Sequence, residues 1–241
     1  MSTQNGSYSF TLKDTNASNW GEHPLAATSF GMKDAGFHRF GFVIYRTVYN
    51  DNAAWERYLE VLKLAARKSL DIVGGDVLLE QYMDWPVISD PALLNGASKA
   101  DVRRHFKSWC AGRSEERDGP GATNSGVEWL PRFNYCLYVD SKCIDTLAKM
   151  PANSIKPQEY RVLSKPVIAV IDAAFDGRTP GSDRGLYPDV EGCTEWYVGW
   201  KYFKIGQLVS TYDVSHGFSL DEIDYVRPPL IAPDGYESMP N

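Results

Sequence analysis

The sequence predicts a single α+β domain: an antiparallel or mixed sheet of about five strands with helices on one face, built on a duplicated, ferredoxin-like β-α-β core. Three observations carry that expectation. The strand-like run Arg39-Phe-Gly-Phe-Val-Ile-Tyr45 returns 93 positions later as Arg132-Phe-Asn-Tyr-Cys-Leu-Tyr138, with three of seven positions identical. Each copy leads into polar residues able to cap a helix and then into apolar residues at helical spacing. The chain has 241 residues, 43% apolar and 13% aromatic, enough for one sizeable core.

Residues 1–37 are rich in Ser, Thr, Asn and Gly and read as an irregular N-terminal arm. Residues 38–229 form the domain and 230–241 a tail. Within the domain, residues 39–49 are β-branched and aromatic and read as a strand. Asn50-Asp51-Asn52 can cap the next segment, where Trp55, Tyr58, Leu59, Leu62 and Ala66 share one helical face. Residues 76–85 read as a second strand or a short helix, the strand being preferred, and Pro86 lets neither continue unbroken. Ser98 and Asp101 make a capping box before Val102, His105, Phe106, Trp109 and Cys110, a second amphipathic helix. Residues 111–127, with their glycines and charges, read as a mobile surface loop. A strand follows over 132–140, then a short helix with Ile144, Leu147 and Ala148 that Pro151 stops. The run Lys165–Phe175 is apolar on both sides, as in a strand buried on both faces. A Gly-, Pro- and Asp-rich loop fills 176–192, an aromatic strand broken at Gly199 spans 195–205, and a short helix lies near 206–213. The Arg227-Pro-Pro229 stretch is too proline-rich for a central strand.

A net charge of -6 argues against phosphate backbones and anionic lipid, so neither nucleic acid nor membrane is an expected partner. Residues 1–10 show no signal-peptide pattern and no run reaches the roughly 18 apolar residues of a span, so the expectation is an intracellular, cytoplasmic protein. The sequons at Asn5 and Asn16 are then chance matches. Cys110, Cys136, Cys143 and Cys193 fit neither a disulfide framework nor a zinc site and read as buried thiols. No Walker loop, G-x-S-x-G elbow, H-E-x-x-H or strand-borne G-x-G-x-x-G is present, so no cofactor and no metal are expected.

Candidate site residues come from strand alternation. Phe40, Phe42 and Ile44 share one face, expected to receive the helices, and Arg39, Gly41, Val43 and Tyr45 share the other. The second copy sets Phe133, Tyr135 and Leu137 against Arg132, Asn134, Cys136 and Tyr138. If the two copies lie side by side, Arg39 neighbours Arg132 and Tyr45 neighbours Tyr138 on a mixed face. That face is left to solvent, covered by a second sheet in a homodimer, or closed into a pocket. The residues there either cover one another and pair with carboxylates, or bind a small organic molecule, with Arg39, Arg132 and Asn134 holding an anionic or oxygenated group. Tyr45 and Tyr138 would then orient or exchange protons, with Asp172 or His38 as base. Asp172 stands in a hydrocarbon strand, where a carboxylate must pair, with Arg39 or Arg132, or shift its pKa. His105, on an apolar helical face, reads as a hydrogen-bonded core histidine.

Two other readings remain at this point. Residues 39–45 resemble the RNP1 string of RNA-recognition domains, in which Phe40 and Phe42 would stack on bases. The aromatic segment Trp196–Phe203 and the proline-rich tail could instead dock a protein. The carboxylates at Asp176, Asp183, Asp189 and Glu191 lack calcium-loop spacing and read as a solvated loop.

The strings at residues 39–46, Ala-Ala-Trp-Glu-Arg57, Asp101-Val-Arg-Arg-His-Phe-Lys-Ser-Trp109, residues 132–140, Val198-Gly-Trp200 and Tyr225-Val-Arg-Pro-Pro229 together resemble a family of uncharacterised proteins from filamentous ascomycete fungi. The likeness runs from about residue 38 to 229 and implies a fungal intracellular origin, with no activity to carry over. The functional expectation is a small-molecule-binding protein of fungal metabolism, in its enzymatic form a cofactor-independent isomerase, cyclase or lyase.

Overall fold

A computed structural model describes residues 25–149, 165–177, 185–232, 235 and 237–239. Its core is a mixed sheet of six strands among these residues: β1 (Val43–Arg46), β2 (Val87–Ile88), β3 (Tyr135–Val139), β4 (Val167–Asp172), β5 (Trp200–Lys204) and β6 (Ile231–Ala232), in the order β2-β1-β3-β4-β5-β6. β1 runs parallel to β2 and β3, and β5 parallel to β6, while β4 is antiparallel to both neighbours. The longer helices are α1 (Ala26–Ala35), α2 (Asn52–Ile72), α3 (Lys99–Ala111), α4 (Ser141–Ala148) and α5 (Leu208–Val214).

The helices begin where side chains satisfy their first N–H groups. Asp51 accepts from Ala54 N at the start of α2, Asp140 accepts from Cys143 N at the start of α4, and Ser98 and Asp101 close the expected capping box on α3. α2 buries Trp55, Tyr58, Val61, Leu62, Ala65, Ala66 and Leu70 along one stripe. β4 is buried throughout, as its apolar run requires.

The two arginine-led segments do lie side by side, with Val43 opposite Cys136, Ile44 opposite Leu137 and Tyr45 opposite Tyr138. The connections leaving them differ. β1 leads through the 21-residue α2 to a parallel partner, whereas β3 leads through the 8-residue α4 to the antiparallel β4. The expected ferredoxin-like duplication therefore stops at the paired strands.

Helices cover both sides of the sheet, which corrects the expectation of one. Arg46 lies over the Trp55 ring of α2 at 5.0 Å. Tyr45, which strand alternation turns the other way, meets His105 and Phe106 of α3 at ring distances of 5.4 and 6.2 Å. Phe42 packs against Tyr212 of α5 at 5.0 Å. The physical reason is that α3 has its own apolar stripe, Val102 and Phe106, which needs a surface, and the mixed face offers Tyr45 and Cys136.

Four local expectations also change. Residues 76–85 form a turn of α-helix and a 3₁₀ turn rather than a strand, and β2 begins only after Pro86. Pro131 opens a helical turn, Pro131–Asn134, so Arg132, Phe133 and Asn134 precede β3 instead of lying in it. Residues 26–35, inside the expected irregular arm, are helical. Residues 111–127 are packed: Ala122 and Val127 join Phe37, Leu130 and Phe133 in a second small core. The RNP1 reading also fails on burial, since Phe40 and Phe42 are 1% and 0% exposed and cannot stack on bases. Cys136 and Cys143 are buried, Cys110 and Cys193 partly so, and all four are free thiols. Among the described residues, no helix is long and apolar enough to cross a membrane.

Candidate functional site

The sequence-predicted residues fall into five environments. Arg39 and Arg132 converge on one carboxylate, that of Asp84, at 3.6 and 2.7 Å. Arg132 also donates to the carbonyls of Asp84 and Gly41, and only 2% of its side chain is exposed. Asn134 donates to the carbonyls of Glu128 and Leu130 and ties down the turn before β3. His38 is exposed and meets the edge of Tyr82.

Asp172 lies at the end of β4 and accepts from Tyr197 Oη at 2.8 Å and from Ala174 N at 2.7 Å. Its expected pairing with Arg39 or Arg132 does not occur, because both arginines are held at Asp84. The guanidinium beside it is that of Arg103, which donates to the carbonyls of Asp172 and Gly199 rather than to the carboxylate. Burial raises the Asp172 pKa, against the opposing pull of the Tyr197 hydrogen bond, and burial also raises that of Tyr197. The same Arg103 borders a cleft of about 670 Å³ with Phe175, Asp176, Glu191 and Glu195. Carboxylates outnumber cations there, and Arg103 spends two donor atoms on backbone.

Tyr45 and Tyr138 point to the best-formed candidate. The Tyr45 hydroxyl lies 2.8 Å from His105 Nδ1, and the Tyr138 hydroxyl donates to Ala97 O at 3.0 Å. His105 and Ala97 both line a cleft of about 320 Å³, together with Leu93, Leu94, Arg104 and Ser108. Leu93, Leu94 and Ala97 give it an apolar wall, and Arg104, paired to Asp101 at 3.1 Å, sets a guanidinium at its rim. Burial pushes the Tyr45 phenol well above its ordinary range and that of Tyr138 up to about 12, so both keep their protons at neutral pH. Tyr45 fixes one ring nitrogen of His105, the arrangement that orients an imidazole for proton exchange at its other nitrogen.

The backbone explains why a cleft forms here. From β1 the chain passes to α2 on one side of the sheet, and from the adjacent, parallel β2 it passes to α3 on the other. Chains diverging from the carboxyl ends of neighbouring parallel strands leave a crevice, which is where open sheets of this type hold ligands. The turn Pro91–Leu94, capped by Asp90, forms its outer lip.

The cleft's polar residues were only partly anticipated. Asp101, Arg104, His105 and Ser108 recur at i, i+3, i+4 and i+7, so they share a polar stripe on α3 beside its apolar one. That spacing was the available signal, masked by grouping His105 with the apolar stripe. Nothing in sequence marked Leu93 or Leu94. Among the described residues, no cluster of His, Cys, Asp or Glu is arranged to hold a metal ion. No family model, no curated protein and no solved structure matches this chain.

Proposed function

We propose that this is a small-molecule-binding protein of fungal metabolism that takes an anionic or oxygenated aromatic compound into the cleft over Tyr45 and His105. One observation carries the reading: an imidazole that borders an apolar-walled cleft, with a guanidinium at its rim, is held from behind by the hydroxyl of a buried phenol. The volume suits a compound of one or two rings, and the leucines match an aromatic face. Arg104 supplies a planar donor for a carboxylate or enolate. In the enzymatic form of this reading, His105 removes a proton from carbon or oxygen of the bound compound and returns it elsewhere, with Tyr45 positioning the ring. Such proton transfer is the chemistry of a cofactor-independent isomerase, cyclase or lyase.

The test is a thermal-shift and NMR screen of aromatic carboxylates and enolisable aromatic ketones against the full chain. A ligand at ten times its Kd stabilises by about 1.4 kcal/mol, or about 3–5 °C for a chain of this size. The expected hit moves the His105 ring signals, and Arg104→Ala weakens it about tenfold. The reading fails if no compound moves those signals at about 10 mM, where millimolar sites fill.

A protein-docking role has one observation in its favour: Trp196 is 43% exposed and stands between Tyr187 and Tyr225. The rest of that segment is core, with Trp200 and Phe203 only 4% and 2% exposed.

A further inference from the structure

We propose that the cleft between α2 and the residues leading into β2 is a second binding site, for the oxyanion group of a small compound, a carboxylate or a phosphate. This cleft, about 280 Å³, is lined by Lys63, Arg67, Glu80, Met83, Asp84 and Trp85. It shares no residue with the cleft over Tyr45 and His105, so the two readings stand or fall separately.

Charge is the first argument. Lys63 and Arg67 lie one helical turn apart on α2, where like charges cost a few tenths of a kcal/mol instead of contributing. Lys63 has no ion pair among the described residues. Arg67 has only a 3.8 Å approach to Glu80, with the two side chains 65% and 57% exposed, a pair worth little. The carboxylate of Asp84 would repel an anion, but it is already held by Arg132 at 2.7 Å and Arg39 at 3.6 Å. Two cations and two carboxylates therefore line the cleft, and Arg39 and Arg132 outside its lining neutralise one of those carboxylates, which leaves a local cationic excess in a chain whose net charge is -6.

Hydrogen bonding is the second argument, and it is independent of the first. Trp85, 7% exposed, borders the cleft, and its indole N–H has no partner among the described residues. That N–H is shielded from solvent, and an unsatisfied buried donor costs about 1–3 kcal/mol, which an acceptor in the cleft would recover on a small turn of the Trp85 ring toward it. Indole N–H, ammonium and guanidinium groups are all donors that accept nothing, so the complementary ligand is an acceptor-only group carrying negative charge. Met83 adds an apolar surface for the carbon skeleton behind it.

The experiment follows the Trp85 indole N–H cross-peak of the full ¹⁵N-labelled chain, assigned with Trp85→Phe. Inorganic phosphate and benzoate are titrated separately at constant ionic strength, with chloride as control. The expected result is a saturable shift of that peak with phosphate or benzoate and none with chloride, and the anion that saturates first identifies the source. Lys63→Glu with Arg67→Glu should weaken the response about tenfold at unchanged Tm, since both residues are exposed. A peak that stays still to about 10 mM in both anions, or moves equally in the charge-reversed variant, overturns the proposal.

Discussion

The two arginine-led segments begin alike and end in different roles. In the sheet they stand in the same register as in the sequence, each residue of β1 opposite the residue 93 positions later in β3. Around that shared backbone the surroundings diverge. Arg39 is 41% exposed and reaches Asp84 at 3.6 Å, while Arg132 is 2% exposed and makes three contacts around the same residue and Gly41. Tyr45 ends on an imidazole beside a cleft, whereas Tyr138 ends on a backbone carbonyl. Two local features separate the copies. Gly41, at φ 118, lets Asp84 O approach to where a Cβ would sit only 2.4 Å away, and Pro131 bends the second copy into a helical turn that swings Arg132 under that contact. Repetition thus specifies the strand pair, and the chain entering each strand specifies what its ends can do.

The largest expected difference between the copies lies at the arginines. Arg132→Ala should cost about 3–5 kcal/mol, because it strips three hydrogen bonds from Asp84 and Gly41 and opens a void in the core. Arg132→Met keeps the volume and should recover part of that loss. Arg39→Ala should cost less than about 1 kcal/mol, as expected of an exposed pair. Urea denaturation of the three variants at unchanged m-value measures this directly. Equal costs for Arg39 and Arg132 would show that burial does not separate the copies.

Acid should break the packing under the first copy through a group that has no counterpart under the second. α5 sets Tyr212 against Phe40 and Phe42, and His216, just beyond that helix, against Tyr212. The His216 ring is enclosed tightly enough that a Cβ on Gly31 would fall 2.4 Å from its Cε1, and its Nε2 has no partner among the described residues. Burial lowers its pKa from 6.5 to about 4. A folded pKa below the unfolded value means that the unfolded chain takes up the proton first, so this stability is present above pH 6.5 and is lost as pH falls toward 4. The loss should be about 2 kcal/mol, allowing for incomplete burial. His216→Asn should flatten the stability profile in that window alone. Parallel profiles for the two proteins would show that His216 ionises freely in the fold.

Much of this arrangement was legible in the order of residues alone. The register of β1 and β3, the caps at Asp51 and Ser98, and the buried run of β4 follow from period and capping, which are local, whereas α4 is capped by Asp140 and not by Ser141, the polar residue that the sequence suggests. The features that escaped depend on contacts between distant residues. Asp84 gave no sign in sequence that it would collect both arginines, because that meeting needs Gly41 and Pro131 to act together across the sheet. Asp172 could be singled out as a carboxylate in hydrocarbon, but its partner, Tyr197, lies 25 residues on, beyond any periodic signal. The cleft escaped for a related reason: its wall comes from the turn Pro91–Leu94, whose position follows from the divergence of β1 and β2. His105 was visible on α3, but its assignment to the apolar stripe hid the polar row it shares with Arg104 and Ser108.

The smallest difference in stability between the copies, and the most informative comparison about function, should come from the tyrosines. Tyr45→Phe and Tyr138→Phe each remove one part-buried hydrogen bond and leave the ring in place, so each should cost about 1 kcal/mol. Stability alone will therefore not tell the copies apart. Ligand-dependent signals will, because Tyr45 holds the imidazole while Tyr138 holds only the backbone behind the cleft wall. In Tyr45→Phe the His105 ring loses the partner at Nδ1, and its two tautomers should redistribute, visible in the ¹⁵N shifts of the imidazole. Tyr138→Phe should leave those shifts unchanged. Any turnover found in the cleft should fall in the first variant through kcat, with KM nearly constant, since Tyr45 positions the group that moves the proton and does not itself bind the compound. If both variants shift the imidazole equally, the hydroxyl of Tyr45 is a core contact like that of Tyr138, and the two copies differ only at their arginines.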